Sequence, residues 1–579
     1  MRLALRTSPF RALLAISLVL APFTSAERII ESQSLETCQQ NSGFSASLFS
    51  VAFTPNNNSL AFNIVGVSAI TGNVTAELDI IIYGYSFLKT PLDPCALDLS
   101  GLCPLSSGQI NIQSNIAVPA NVVSQIPGIV YSIPDFDGQV QIKIFDRTSH
   151  AQLACVLAKL SNGQTVYQKG VGWTSAVIAG LALFISAIVS GLGHSNAAAH
   201  VAANAMSLFG FFQAQAIFGM TAVPLPPIVA SWTQNFQWSM GIISVGFIQD
   251  IAGWYQQATG GKPSNILGTL STTSVDVQKR SLEAVNQLTS RAAQYMRSDH
   301  MTSSIVKRVN ANNQNAETLK TITVRGIERV GFRAGIELTN IFLTGYIFFV
   351  IFVGAVVIGV VAFKWILEGL ARWGKIKGDK FQDFRNGWTT ILKGILFRLV
   401  LIGFPQMVIL CFWELTVRDS AGEVALAIVT IAAMIVMLAW ACSKVYRLAK
   451  RSIVMHKNPA YVLYSDPVSL HKWGFLYVQF KAAAYWFIIP LLLFVLVVGL
   501  FIAFAQNAYV VQAIALLILN LGLLIAVSIL RPYMDKKTNA FNIAIAAVNF
   551  VSAIFLLFFT EIFGLPVSCV PFQPSPIDY

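Results

Sequence analysis

Charge is scarce in this chain. Only 11% of its 579 residues are Asp, Glu, Lys or Arg, while 55% are hydrophobic; an ordinary soluble domain carries about 25% charged residues. That composition excludes a soluble enzyme. Histidine is rare too, six in all, and no Cys-x-x-Cys or Cys/His spacing occurs, so no metal site is expected. A phosphate loop, a Gly-x-Ser-x-Gly elbow, a His-Glu-x-x-His helix and a dinucleotide fingerprint are all missing, and the chain is not expected to be an enzyme. The formal charge of +12 invites nucleic acid, yet no basic helix or aromatic-interleaved patch supports such a partner, and none is expected.

What the chain has is long apolar runs. Eight stretches, 171–192, 201–223, 339–363, 396–416, 424–442, 484–505, 509–530 and 541–562, each reach the roughly 20 residues that a spanning helix needs. Ahead of them, residues 1–26 read as a signal peptide, with Arg2, Arg6 and Arg11, an apolar core around Leu13–Ala21 and the small-residue site Thr24-Ser25-Ala26. The part between Glu27 and Gly170 has six basic and ten acidic residues; everything after it has 30 basic and 17 acidic. Basic surplus around spans is an orientation signal.

Period-two alternation marks 27–170 as an all-β immunoglobulin-like sandwich. In 75–83, Leu78, Ile80 and Ile82 share a face; in 139–146, Val140, Ile142 and Ile144 do. Turn clusters such as Pro55-Asn56-Asn57-Asn58 separate the strands. Four cysteines lie here, an even number in an oxidising compartment. They allow three pairings; the favoured one ties Cys38 to Cys155, first strand to last, and closes a local loop with Cys95–Cys103. Asn57 and Asn73 head glycosylation sequons, which makes the domain a candidate glycoprotein module. The Ile, Val, Leu and Phe of the interior make either a packed core or sheets parted around a lipid.

With this domain outside, alternating spans place 364–395, 443–483 and 531–540 in the cytoplasm, where they carry seven, seven and three basic residues. A ninth span over 228–257 would invert those loops, and Gln234, Asn235, Gln237, Gln249 and Asp250 are costly in hydrocarbon. That segment reads as interfacial or re-entrant. The organisation is therefore signal peptide 1–26, sandwich 27–170, helices one and two in 171–223, a long non-cytoplasmic loop 224–338 with helical patterning around 276–297 and 317–338, helices three to eight in 339–566, and a polar tail 567–579.

Polar groups within spans are functional candidates, because hydrocarbon makes them expensive. The candidate pathway residues are Arg398, Gln406, Glu414, Asp419, Glu423, Asn542, Asn549 and Glu561. Pro405, next to Gln406, should kink its helix and free carbonyls. Glu414, Asp419 and Glu423 flank one short turn, where acidic groups concentrate cations at a pore mouth or simply solvate the turn. Asn542 and Asn549, seven apart, share a helical face, for interhelical bonding or for a polar path.

Three segments carry a resemblance: Ser231-Trp232-Thr233-Gln234-Asn235-Phe236-Gln237-Trp238-Ser239-Met240-Gly241-Ile242-Ile243, Trp373-Gly374-Lys375-Ile376-Lys377 with Phe384-Arg385-Asn386-Gly387-Trp388, and Arg531-Pro532-Tyr533-Met534-Asp535-Lys536-Lys537-Thr538-Asn539. They resemble the fungal TRP-like ion channel family, also called flavin carriers, with an ML-like lipid-recognition domain and a polytopic TRP-like region. The resemblance runs from the leader to about Pro566. It implies a multi-pass protein of the endoplasmic reticulum or plasma membrane, its N-terminal domain lumenal or extracellular. It further implies FAD transport into the endoplasmic reticulum or calcium-channel activity, linked to cell-wall maintenance. FAD enters as cargo, not as a bound cofactor. Expected partners are membrane lipids, a lipid or sterol ligand of the β domain, and cations or FAD; an oligomer is compatible. A non-transporting lipid-sensing scaffold is the alternative. Family chains usually continue beyond Gly564-Leu565-Pro566 into another span, so the expectation here is a shortened product.

Overall fold

The computed structural model describes residues 29–32, 35–38, 43–93, 105–117, 123–124, 126, 128–191, 195–267, 273–277, 320–373, 381–465, 467–560 and 562. The expected leader, Cys95, Cys103, Glu561 and the 567–579 tail lie outside them. Two units divide the chain.

The first unit is built on two antiparallel sheets. β1 (Ile30–Ser32), β2 (Leu35–Thr37), β3 (Phe44–Thr54), β4 (Ser59–Ser68), β5 (Val74–Ile82), β6 (Tyr85–Leu92), β7 (Gly108–Ala117), β8 (Gly138–Asp146) and β9 (Gln152–Leu160) follow one another. They order as β1-β3-β4-β7 and β2-β9-β8-β5-β6. Phe44 and Ile64 from one sheet meet Val74, Ile142, Ile144, Ala154 and Val156 from the other, which is what alternation along each strand requires. Cys38 and Cys155 are disulfide-bonded, 117 residues apart in sequence, and the Cys38 N–H donates to Cys155 O at 2.9 Å. The bond thus lies within one sheet, between the end of β2 and β9. Asn57 and Asn73 are both exposed.

The second unit is helical. Its elements are α1 (Lys169–Gly191), α2 (Ser195–Gly219), α3 (Pro227–Gln234), α4 (Gly246–Ala258), α5 (Gly326–Arg333), α6 (Ile341–Arg372), α7 (Gln382–Val417), α8 (Ala421–His456), α9 (Ala460–Ser465), α10 (Pro467–Tyr477), α11 (Ile488–Phe504), α12 (Tyr509–Leu530) and α13 (Lys536–Phe558). Among the described residues eight of these are long and apolar enough to cross a membrane: α1, α2, α6, α7, α8, α11, α12 and α13. Their outer faces leave Ile358 70%, Val436 67% and Ile529 74% exposed, a surface fit for lipid and unfit for water. At 1.5 Å per residue, α6, α7 and α8 measure about 48–54 Å, well over the roughly 30 Å of a hydrocarbon core. They outrun their apolar runs, and basic residues such as Lys364, Arg372, Lys450 and Arg451 occupy the extensions.

Segment 228–257 forms no span. It folds as α3, a 3₁₀ turn (Gln237–Met240) and α4, with Gln234, Asn235 and Gln237 buried inside protein. Their amides donate to Val330 O at 3.3 Å, Val166 O at 3.0 Å and Ala216 O at 2.9 Å. Irregular backbone is tolerated here because protein groups satisfy and surround it.

One expectation is corrected. The helical pattern over 317–338 holds only for α5; residues Lys320–Val324 form β11, paired in parallel with β10 (Thr273–Val277). Thr321, Ile322, Thr323 and Val324 are β-branched and favour the extended chain. Non-helical backbone within α7 falls at Gly387 (φ −113°, ψ 17°), and Pro405 stands farther along the same helix. Glycine gives up helical geometry more cheaply than neighbours locked by packing.

The Arg531–Asn539 motif closes a structural loop. Lys481 N–H donates to Pro532 O at 2.7 Å and Met534 N–H to Gln479 O at 3.0 Å. Asn539 accepts from the Tyr533 N–H at 3.1 Å and donates to Tyr533 O at 2.6 Å. Phe480, Phe487 and Tyr533 pack beside it in an aromatic core.

Candidate functional site

Three residues, 418–420, separate α7 from α8. Arg418 takes the left-handed conformation (φ 62°, ψ 52°) and its N–H closes on Glu414 O at 2.9 Å. The Ser420 hydroxyl then caps α8 by accepting from the Glu423 N–H at 3.2 Å. So tight a reversal places Glu414, one turn before the end of α7, against Glu423 in the first turn of α8, with Asp419 between them. One carboxylate oxygen of each lies within 4.8 Å of the others'.

Glu414 and Glu423 are fully buried and Asp419 half-buried. Glu414 Oε1 accepts from the Asp419 N–H at 3.2 Å, and the Ser420 hydroxyl lies 3.3 Å from Glu423 Oε1. Glu414 Oε2, Asp419 Oδ2 and Glu423 Oε2 have no hydrogen-bond partner. Among the described residues no Lys or Arg forms an ion pair with any of the three. Burial, with Glu328 as a like-charged neighbour, pushes the Asp419 carboxyl up to about 6. Two carboxylates 4.8 Å apart repel by about 3 kcal/mol at an effective dielectric near 20. The trio therefore needs shared protons or a cation.

The turn is roofed by the end of α4. Thr259 Oγ1 donates to Ser420 Oγ at 2.9 Å. Gly261 approaches so closely that a β-carbon there would stand 2.9 Å from Asp419 O. Gln256, fully buried, is a hydrogen-bonding neighbour of the Glu423 carboxyl; its amide nitrogen also donates to Thr339 O at 2.5 Å, while its Oε1 has no partner.

Amides staple the rest of the bundle. Gln406 donates to Gly345 O at 2.9 Å, joining α7 to α6. Gln213 on α2 donates to Ile402 O at 2.9 Å. Trp232, Gln215 and Asn549 form a chain at 3.4 Å per link, across α3, α2 and α13. Asn542 instead donates to Thr538 O of its own helix at 2.9 Å. Arg329 on α5 is buried to 2% exposure and donates to Gly219, Thr221 and Val223 carbonyls, each at 3.0 Å. Those carbonyls lie at and beyond the C-terminus of α2, where orphan acceptors collect. Burial lowers the Arg329 guanidinium to about 9, still charged at neutral pH. Gln512 completes this turn by accepting from the Ala222 N–H at 2.8 Å.

Of the sequence candidates, the structure brings together Glu414, Asp419 and Glu423. Arg398 is half-buried on α7, apart from them. Gln406 and Asn549 serve in contacts between helices, and Asn542 bonds within its own helix. Sequence reasoning missed Gln256, Gln213, Gln215, Gln512 and Arg329. Gln213, Gln215 and Gln512 carried the same signal as Gln406, a polar side chain in an apolar run. Arg329 and Gln256 sit in polar segments, where such residues are unremarked.

A profile described as Transient receptor potential (TRP) ion channel matches residues 171–570, and one described as ML-like domain matches 30–166. Flavin carrier protein 2 of Saccharomyces cerevisiae is 40% identical over 542 residues, 93% of this chain and 69% of its own. Flavin carrier protein 1 of the same yeast is 39% identical, over 94% of this chain and 66% of its own. TRP-like ion channel pkd2 of Schizosaccharomyces pombe is 34% identical, over 95% and 76%. The chain thus spans about two thirds to three quarters of these relatives' lengths, and their names are those of carriers and channels.

Proposed function

From membership of the TRP ion channel family, to which this chain belongs, we propose that it is a multi-pass membrane transport protein whose cargo is a cation. One observation carries this reading: three carboxylates with unpartnered oxygens and, among the described residues, no ion-paired Lys or Arg, gathered where two spans meet. Such a site concentrates cations and repels the phosphates of a dinucleotide. The second reading, FAD as cargo, is favoured by the relatives named flavin carriers.

The ML-like domain supports a lipid ligand. The signal peptide and the basic 364–395 and 443–483 connectors support placing that domain away from the cytosol, in the endoplasmic reticulum or at the cell surface.

Liposomes carrying the purified chain, offered calcium and FAD side by side, test both cargoes. Calcium flux that falls at least ten-fold in Glu414→Gln with FAD excluded supports the cation. FAD uptake without calcium flux replaces it with the flavin reading. Neither cargo moving, in any lipid composition, leaves the scaffold.

A further inference from the structure

The α7–α8 turn combines two independent observations. The first is the convergence of Glu414, Asp419 and Glu423 oxygens within 4.8 Å. The second is that one oxygen on each, together with Oε1 of the fully buried Gln256 beside them, is shielded from solvent and accepts no hydrogen bond. Buried carboxylate oxygens are ordinarily satisfied; three orphan carboxylate oxygens at one turn, with a further orphan acceptor on the Gln256 that borders Glu423, form a donor set for something other than a proton donor of the protein.

The chemistry of that set is specific. All the donors are hard oxygens, with no His or Cys, which disfavours zinc and the softer metals. Calcium binds oxygen at 2.3–2.6 Å, so two of its ligands stand up to about 5 Å apart, a limit the 4.8 Å grouping meets. Magnesium dehydrates reluctantly and keeps several waters, which a walled site of this kind does not welcome. The wall itself is built for closeness: Gly261 against the Asp419 carbonyl, Gly422 against Thr259.

We infer that Glu414, Asp419 and Glu423, with Gln256 as a neutral donor, hold one calcium-sized divalent cation that locks the end of α4 onto the α7–α8 turn. This deepens the transport reading and rests on it for its biological sense. The bound ion joins Gln256 near the end of α4 to two spans, so its occupancy sets how firmly that roof is closed.

Calorimetric titration of calcium into the full chain in detergent tests it, beside thermal unfolding with and without the ion. One calcium per chain is expected, with magnesium at least ten-fold weaker, and a rise in unfolding midpoint that calcium brings and Glu414→Gln/Glu423→Gln abolishes. Because these amides remove repulsion, the double variant without calcium should unfold no lower than the unmodified chain. That comparison separates a lost ion from a failed fold. Asp250→Asn, an exposed acid on α4, should bind as before. Calcium affinity unchanged in the double variant, or no calcium effect on the unmodified chain, overturns the site. Flux without binding sinks the site alone, and binding without flux of any cargo sinks the transport reading alone.

Discussion

Gly422 and Thr259 are neighbours across the acidic turn at a distance no larger residue allows. A β-carbon on Gly422 would meet Thr259 Cγ2 at 2.5 Å. One glycine at the start of α8 therefore lets the end of α4 lie directly over Asp419 and Glu423.

Gly422→Ala should force the roof away and cost about 1–3 kcal/mol, the usual range for overpacking. Thr259→Ala alone loses the bond to Ser420. Combined with Gly422→Ala it should recover part of that loss. A double-mutant cycle on thermal unfolding measures the coupling; simple additivity would separate the two sites.

Arg329→Met should be among the most damaging single changes in the helical unit. It strands three carbonyls at the end of α2 that now accept from one guanidinium. A charge-assisted bond contributes about 1.5–3 kcal/mol, and a buried orphan acceptor costs about as much again. Arg329→Lys should rescue little, since an ammonium lacks the planar fork. Yield of folded protein in detergent reports the difference.

Asn549→Leu and Asn542→Leu should differ although the two residues share a face of α13. The first breaks the link from α13 to Gln215 on α2 and should lower stability by about 1 kcal/mol, in the range of interhelical bonds in membranes. The second gives up only a bond to its own helix and should cost less. Unfolding midpoints of the two variants, side by side, decide it.

Cys38→Ser should destabilise the β unit by about 2–5 kcal/mol, as loss of a native bridge does in small domains. The bond closes 117 residues of chain, so reduction should release most of the unit's ordering at once. Unfolding followed with and without reductant should show a larger fall of the midpoint in the unmodified chain than in the variant.

Much of the fold was legible because burial has simple periods. Runs of about 20 apolar residues mark helices that lipid requires, and alternation of Val140, Ile142 and Ile144 marks a strand with one covered face. Reading 228–257 as no span rested on Gln234, Asn235, Gln237, Gln249 and Asp250, too polar for lipid, and on the basic loops that a ninth span would invert. Where those amides find partners was not legible. Val330, Val166 and Ala216 supply carbonyls from as far as 96 residues away in sequence, and backbone acceptors leave no mark on composition.

The order of amino acids by itself determined the two kinds of unit and which stretches sit in lipid, because hydrophobic free energy depends on what each residue is. Only the tertiary structure decided which polar residues converge. Glu414, Asp419 and Glu423 are close in sequence, and the three-residue reversal brings them together. Gln256, more than 150 positions earlier, joins them because Gly261 and Gly422 let two backbones approach. Convergence of that sort depends on distances between chain segments, and those exist only once the chain is packed.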